Sequence, residues 1–328
     1  MQKITVSQFK RALAAREKLG AAGSVTGQST AVRHAKGDEL EMRRMLDEQR
    51  VDAARESSKL QETFRLAAQS RYEAVKYLGA SGAKVHLGNI GLLDKPFLIW
   101  ATPHANILDD SSIERGRSWA KINVEQSAAV HDEDGYPIDS LDRLTFYYLW
   151  ENETGYTVVV DVSAYTTLWG FWQGAAFFYH TGHPTHAGHP GADDPDESGR
   201  YGSAHLDLSA NLALYEWWNE PPTIAPLQNS PDQHTRIGFL DRGWRGWGDG
   251  TSSTMFAGFV LEQNLVVIPP GGVLVTEVSL DVVHRVDHGH VLADFSSGDF
   301  QVTSHWVQVE YVAGPELTPT PVVGGLHP

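Results

Sequence analysis

The chain has 328 residues, 41% of them hydrophobic, and its formal net charge is −15. The charge is divided unevenly, because residues 1–80 balance to +5 and residues 81–328 to −20. A strongly acidic body repels phosphate backbones, which argues against nucleic acid as a partner, and the lack of cysteine excludes disulfides and thiolate metal sites.

The sequence also bears on location. No apolar run approaches the roughly 20 residues that cross a bilayer, so we expect no transmembrane segment. The first residues are charged but lack the apolar stretch of a Sec signal peptide. These features predict a soluble protein and leave its compartment open.

The first part of the chain, residues 1–82, reads as a helical arm. Thr5-Val-Ser-Gln8 has the spacing of a capping box, in which the Thr hydroxyl and the Gln amide satisfy free backbone groups. Phe9 and Leu13 follow on one face of the predicted short helix. Residues 20–34 are rich in Gly, Ala, Ser and Thr, which indicates a flexible connector.

A long helix is predicted over residues 38–78, which contain neither Pro nor Gly. Apolar residues recur there every seven positions. This pattern fits a helix lying along the body, and it fits equally a stalk that pairs with copies of itself. In the second case the buried seam consists of Leu46, Leu60 and Phe64.

The apolar period changes to two after residue 83, and short runs separated by turn residues follow without helices between them. This predicts a mainly β protein with an α-helical N-terminal arm, whose residues 83–313 form a large antiparallel β-sandwich of jelly-roll type. Residues 314–328 are a Pro/Gly-rich tail. The predicted strands cover residues 84–88, 97–101, 118–125, 144–150, 156–163, 172–179, 203–217, 235–240, 254–262, 265–268, 273–284 and 299–312.

Two local patterns in the body give specific expectations. Residues 151–155 between two predicted strands indicate a hairpin with a five-residue loop, and Asn152 begins a glycosylation sequon. Residues 273–282 alternate apolar and polar side chains. That alternation predicts one packed face and one wet face, the latter carrying Glu277 and Asp281.

A His-rich loop follows residue 179. Four imidazoles at three-residue spacing, with acids after them, have the chemistry to gather a divalent metal. The same stretch is rich in Gly and Pro, which is equally typical of a solvated loop. The candidate ligands are His183, His186 and His189.

A second His cluster comprises His284, His288 and His290, which would share one face of an unbroken strand. His288-Gly-His290 followed by Asp294 resembles the first metal motif of the cupin family, His-x-His followed by an acid. The resemblance covers about ten residues, has Asp where Glu is usual, and has no second motif downstream. It implies a jelly roll, in agreement with the strand pattern.

Two Trp-rich segments are candidates for a binding surface. Exposed indoles beside Arg suit the apolar faces of sugar rings, and they equally suit a protein interface. Packing in the core, with Arg stacked over Trp, is the third interpretation. The candidate residues are Trp217, Trp218, Arg242, Trp244, Arg245 and Trp247.

The leading functional prediction is a non-enzymatic structural or binding protein that self-assembles into a homo-oligomer through its basic arm and needs no cofactor. One alternative is a carbohydrate-binding sandwich that takes a glycan through Trp244 and Trp247. The other is a jelly-roll enzyme with a divalent metal at His284, His288 and His290. No residues are assigned a catalytic role, since the sequence has neither a nucleophile elbow nor a phosphate loop.

Overall fold

A computed structural model provides the structure of the protein. It describes residues 4–21, 44, 47–52, 89–102, 108–126, 140–176, 178–179, 200–201, 203–217, 225–227, 233–243, 249–287 and 289–312. The predicted strand at 84–88, the tail at 314–328 and most of the predicted connector lie outside these ranges.

The described elements are one helix and fifteen strands, followed in chain order. They are α1 (Val6–Ala21), β1 (Asn89–Leu93), β2 (Leu98–Ala101), β3 (Leu108–Ser112), β4 (Ser118–Gln126), β5 (Ser140–Glu151), β6 (Val158–Ala176), β7 (Phe178–Tyr179), β8 (Arg200–Tyr201), β9 (Ser203–Glu216), β10 (Ala225–Pro226), β11 (Gln233–Gly243), β12 (Asp249–Ile268), β13 (Val273–Asp287), β14 (Gly289–Phe295) and β15 (Gln301–Val312). Residues 44 and 47–52 are also helical.

The strands form two large antiparallel sheets. The seven-stranded sheet has the order β1-β15-β4-β14-β6-β12, with β3 added beside β4. The six-stranded sheet has the order β10-β9-β13-β5-β2, with β11 added beside β9. The short strands β7 and β8 pair separately.

The two large sheets share one apolar core in a sandwich-like arrangement. On β13, Leu274, Val278 and Val282 are buried in this core. From the other sheet, Val158 and Val160 of β6 join the same cluster. Alternate residues along these strands therefore face inward, as the two-residue period requires. The prediction of a mainly β, antiparallel body is confirmed.

The predicted hairpin around residues 151–155 is wrong. Its two strands, β5 and β6, belong to different sheets. The strand pairing differs because β5 lies between β13 and β2, which use both of its edges. The loop after β5 therefore carries the chain from one layer of the sandwich to the other.

Asn152 fixes this crossing point. Its side-chain amide nitrogen donates to the carbonyl oxygens of Tyr156, Ile268 and Pro269 at 2.7, 3.1 and 3.0 Å. Residues 268–272 connect β12 to β13 and also cross between the sheets. One buried amide therefore joins both crossing loops, and the Asn of the predicted sequon is inaccessible in the folded chain.

The face of β13 predicted to be wet is buried. Glu277 and Asp281 alternate with the core residues as expected, but they are only 1% and 8% exposed. Both faces of the six-stranded sheet are therefore covered at these positions. The sequence pattern identified the two faces correctly and the exposure of the second face wrongly.

No helix in the described ranges combines the length and the apolar character needed to cross a membrane.

His305 is a buried imidazole at a bulge of β15. Its Nδ1 donates to the carbonyl oxygen of Gly116 at 3.1 Å, and its Nε2 accepts from the Thr167 hydroxyl at 3.0 Å. Burial lowers the pKa of His305 to about 4, against the opposing effect of the Gly116 hydrogen bond. This histidine is therefore neutral in the folded protein at neutral pH.

This burial predicts a pH dependence of stability. The unfolded chain takes up a proton at His305 near the ordinary pKa of 6.5, whereas the folded chain does so near 4. The stability is thus fully present above pH 6.5 and falls as the pH drops toward 4, by about 1.4 kcal/mol per pH unit from this one group. Urea unfolding at pH 7, 6 and 5 measures the slope.

The matched variant is His305→Asn, which keeps a donor for the Gly116 carbonyl and cannot titrate in this range. We expect the free energy of unfolding of the variant to fall less steeply with pH than that of the wild type. Equal slopes for the two proteins would contradict a neutral His305.

Candidate functional site

The first helix of the arm begins as its sequence predicts. The backbone N–H of Thr5 donates to the Gln8 side-chain oxygen at 2.9 Å, and the Gln8 N–H donates to the Thr5 hydroxyl at 3.3 Å. This reciprocal pair is a capping box. It sets the helix phase that places Phe9 and Leu13 on one face, and both are fully buried.

Phe9 and Leu13 pack on the outer face of the six-stranded sheet. We call the surface that receives them the cradle. Its buried members are Leu98, Tyr147, Ala213, Tyr215, Trp217 and Val275.

Phe9 is the centre of the contact with the cradle. Its ring stacks on Trp217 with centroids 5.4 Å apart, and it meets Tyr147 and Phe97 edge to face at 5.1 and 5.5 Å. These distances lie within the favourable range for aromatic pairs. At the edge of the contact, the Lys10 ammonium lies 5.8 Å from the centroid of the Trp100 ring. The helix is thus held by one aromatic anchor with apolar and cation–π support.

A charged network lies beside the anchor in the same sheet face. Glu277 stands in register between Tyr147 and Ala213, which both belong to the cradle. The Arg143 guanidinium donates to Glu277 at 3.2 Å and makes two hydrogen bonds of 2.6 Å to Asp281. A carboxylate next to an apolar contact is tolerated because Arg143 pairs with it.

The same network determines the protonation of Arg143. Burial alone would lower the pKa of its guanidinium, but the hydrogen bonds and charge of Asp281, with the charge of Glu277, raise that pKa above its ordinary value. Arg143 therefore stays cationic between its two carboxylates, and the cradle face contains no unpaired charge at this point.

A second part of the arm touches the opposite layer. In the helical residues 47–52, Arg50 approaches the buried Asp294 of β14 at 3.9 Å, and Gln49 contacts the Ser252 hydroxyl of β12. Both β12 and β14 belong to the seven-stranded sheet. The two described pieces of the arm thus lie on different sheets of the body.

Asp294 does not depend on Arg50 for its hydrogen bonds. The backbone N–H groups of Ser296 and Ser297 donate to its Oδ1 at 2.8 and 3.0 Å, and both Ser hydroxyls also donate to the carboxylate. The carboxylate is therefore satisfied within its own turn. Contact with Arg50 adds a charge pair to a group that is already stable without it.

The predicted Trp surface is only partly described. Trp217 is buried at 8% exposure beneath Phe9, so it packs in the cradle and does not face solvent. Arg242 lies at the end of β11, where its backbone pairs with Ala204. The other candidates, Trp218, Trp244, Arg245 and Trp247, lie outside the described residues.

The second His cluster is divided between the two sheets. His284 lies on β13 and His290 on β14, which belong to different sheets, so the single shared face expected for an unbroken strand is wrong. The chain leaves one layer and enters the other between these residues. His288 and the loop candidates His183, His186 and His189 lie outside the described residues.

Each of the two described histidines has its own partners. His284 Nε2 lies 2.9 Å from Asp142 Oδ2, and its Nδ1 contacts the side-chain oxygen of Gln126. His290 Nε2 accepts from the Gln173 amide at 3.1 Å. Within the described ranges, no three His, Asp or Glu side chains come together in a group suited to a metal ion.

The oligomer seam predicted from the heptad pattern, Leu46, Leu60 and Phe64, lies outside the described residues and stays a prediction. Sequence reasoning missed the pairing of Arg143 with Glu277 and Asp281. A signal was present, since two acids at alternate positions of a strand leave one face with a charge to neutralise. Only the strand order shows that β5 brings Arg143 beside them.

Comparison with known proteins adds no relative: no protein-family model matches the chain, and no curated protein sequence matches it significantly.

The anchor predicts a large effect of one substitution. Phe9→Ala removes the aromatic ring that fills the cradle, and we expect the free energy of unfolding to fall by about 3 kcal/mol. Val6 lies on the same helix and is 43% exposed, so Val6→Ala is the matched control, with a change below about 0.5 kcal/mol. Urea unfolding of the full chain measures both values, and similar losses would contradict the anchor role.

The charged network predicts a second contrast. Arg143→Met leaves Glu277 and Asp281 without their cation, and we expect the stability to fall by about 3–5 kcal/mol. Arg44→Met breaks an ion pair with Glu48 whose side chains are 71% and 67% exposed, and its cost should stay below about 0.5 kcal/mol. Chemical denaturation of both variants tests the difference, and a cost for Arg143→Met as small as that of the control would refute the neutralising role.

Proposed function

We propose that the protein is a non-enzymatic structural or binding protein that associates with copies of itself through its basic N-terminal arm. The observation that carries the proposal is the docking of α1 in the cradle through the single anchor Phe9. The proposal includes a helical arm over residues 1–82 and a jelly-roll connection of the strands.

The physical argument for association is exchange of the arm. A helix of 16 residues is marginal by itself, so α1 depends on the cradle for its stability. Every copy presents the same cradle, and residues 22–88 separate α1 from β1. The contact that α1 makes with its own body is therefore equally available on a neighbour, which is the situation that favours domain swapping.

The charge division supports the same conclusion. The arm region is positive and the body strongly negative, so each arm is attracted to the body of any copy. Arg50 illustrates this attraction, since it approaches the carboxylate of Asp294 in the seven-stranded sheet. Salt should weaken this part of the contact and leave the aromatic anchor largely unaffected.

The two alternatives from the sequence have less support. Glycan binding depends on Trp244 and Trp247, and metal-dependent chemistry depends on a His group that includes His288, all outside the described residues. The described histidines His284 and His290 lie in different sheets. Neither alternative therefore has a contact in the described structure that favours it.

A complementation experiment tests exchange directly. A Phe9→Ala chain keeps the cradle and lacks the anchor, whereas a Trp217→Ala chain keeps the anchor and has a damaged cradle. We expect the wild type to form dimers or larger species in sedimentation equilibrium at micromolar concentration, and each variant alone to associate at least tenfold more weakly. Mixing the two variants should restore association, because one anchor then meets one intact cradle.

Val6→Ala serves as the control and should associate like the wild type. A wild-type chain that is monomeric throughout the micromolar range would overturn the proposal. Association that both variants retain unchanged would show that the copies meet elsewhere.

A further inference from the structure

An exposed apolar strip runs along β12, at the edge of the seven-stranded sheet. Val260, Leu265 and Val267 are 57%, 77% and 54% exposed. Their neighbours Leu261 and Ile268 are fully buried in the core, so the strip occupies the outer face of the sheet. Large apolar side chains grouped in this way on a surface typically mark an interaction site.

The backbone holds Leu265 outward at a cost. Its φ is 61°, the single non-glycine value in the left-handed region among the described residues. The pairing of β12 with β6 skips from Gln263 to Val266, which leaves Asn264 and Leu265 opposite one residue, Asp161. Glycine usually occupies the left-handed position of such a bulge, since a side chain there is strained.

A specific hydrogen bond maintains this conformation. The Leu265 N–H donates to Asp161 Oδ1 at 2.7 Å. The bulge also interrupts the regular edge of β12, so continuous pairing with another strand is blocked there. A partner therefore meets the strip through side chains, and a strained backbone that displays a leucine to solvent is typical of a functional position.

The surroundings of the strip determine the charge of the partner. Asp161 of β6 stands directly opposite Glu310 of β15 on the same outer face. Like charges facing each other across a sheet repel, and neither carboxylate has an ion-pair partner in the part of the chain that the structure describes. A cationic partner would relieve this repulsion, whereas a second acidic body would increase it.

The arm of the protein has the required chemistry. Residues 1–80 carry fifteen Lys and Arg and an apolar pattern at helical spacing. One part of the arm already touches β12, because Gln49 contacts Ser252, which lies on the same strand as the strip. The strip itself stays exposed in the single chain and is open to a second arm.

We propose that the strip formed by Val260, Leu265 and Val267 is a docking site for the basic arm of a second copy, with Asp161 and Glu310 receiving its cations. This inference rests on the proposed function and names the body surface that the arm uses in addition to the cradle. The bulge at Leu265 is, in this view, the feature that presents the central contact.

Two variants separate association from folding. Leu265→Gly removes the contact and relieves the strain of the left-handed backbone, so the urea midpoint should not fall. Glu310→Lys removes the repulsion with Asp161 and places a cation where the arm would bind. In sedimentation equilibrium of the full chain, each variant should raise the dissociation constant at least tenfold. Leu141→Ser, at an exposed apolar residue of the other sheet, should leave the constant unchanged.

The outcomes are distinct. A wild type that associates while Leu265→Gly associates equally well overturns the strip and leaves the proposed function standing. Association that Leu265→Gly weakens but Glu310→Lys strengthens shows an acidic partner surface and overturns the arm as the occupant. A monomeric wild type overturns both the strip and the proposed function.

Discussion

The ion pairs of Arg143 with Glu277 and Asp281 are the constraint on which the arrangement of this molecule depends. The outer face of the six-stranded sheet is apolar at Tyr147 and Val275 and acidic immediately beside them. An apolar helix can lie there only if the carboxylates are neutralised, since a buried unpaired charge costs several kcal/mol. Arg143 supplies that neutralisation from the neighbouring strand, and Phe9 then fills a surface that would otherwise expose its aromatic rings.

The two outer faces of the body solve the problem of coverage by different physics. On the six-stranded sheet the arm is held by stacked and edge-to-face aromatic rings, a contact that salt leaves intact. On the seven-stranded sheet the contact of residues 47–52 is polar, and Asp294 is satisfied by Ser296 and Ser297 whether Arg50 is present or not. One attachment is therefore firm and the other readily reversible. An arm with such unequal attachments is suited to a protein whose copies exchange partners.

The sequence was most informative where local chemistry decides the structure. The capping box of Thr5 and Gln8, the buried face of α1 and the alternation along β13 were all predictable, because each depends on residues a few positions apart. The failures concern partners distant in the chain. The loop after Glu151 satisfies every rule for a hairpin, and only the competition of β2 and β13 for the edges of β5 sends the chain to the other sheet. In the same way, the burial of Trp217 depends on Phe9, more than two hundred positions earlier.

The pairing of the first and last strands has a mechanical consequence. β1 lies antiparallel to β15, with Asn89 opposite Tyr311, so the chain enters and leaves the body at adjacent points. Tension applied between the arm and the C-terminal segment would load the hydrogen bonds of this pair one after another, as in a zipper, rather than all together in shear. A lattice built from these molecules would therefore resist pulling poorly along that line, and its strength would have to come from contacts made by the sheet faces.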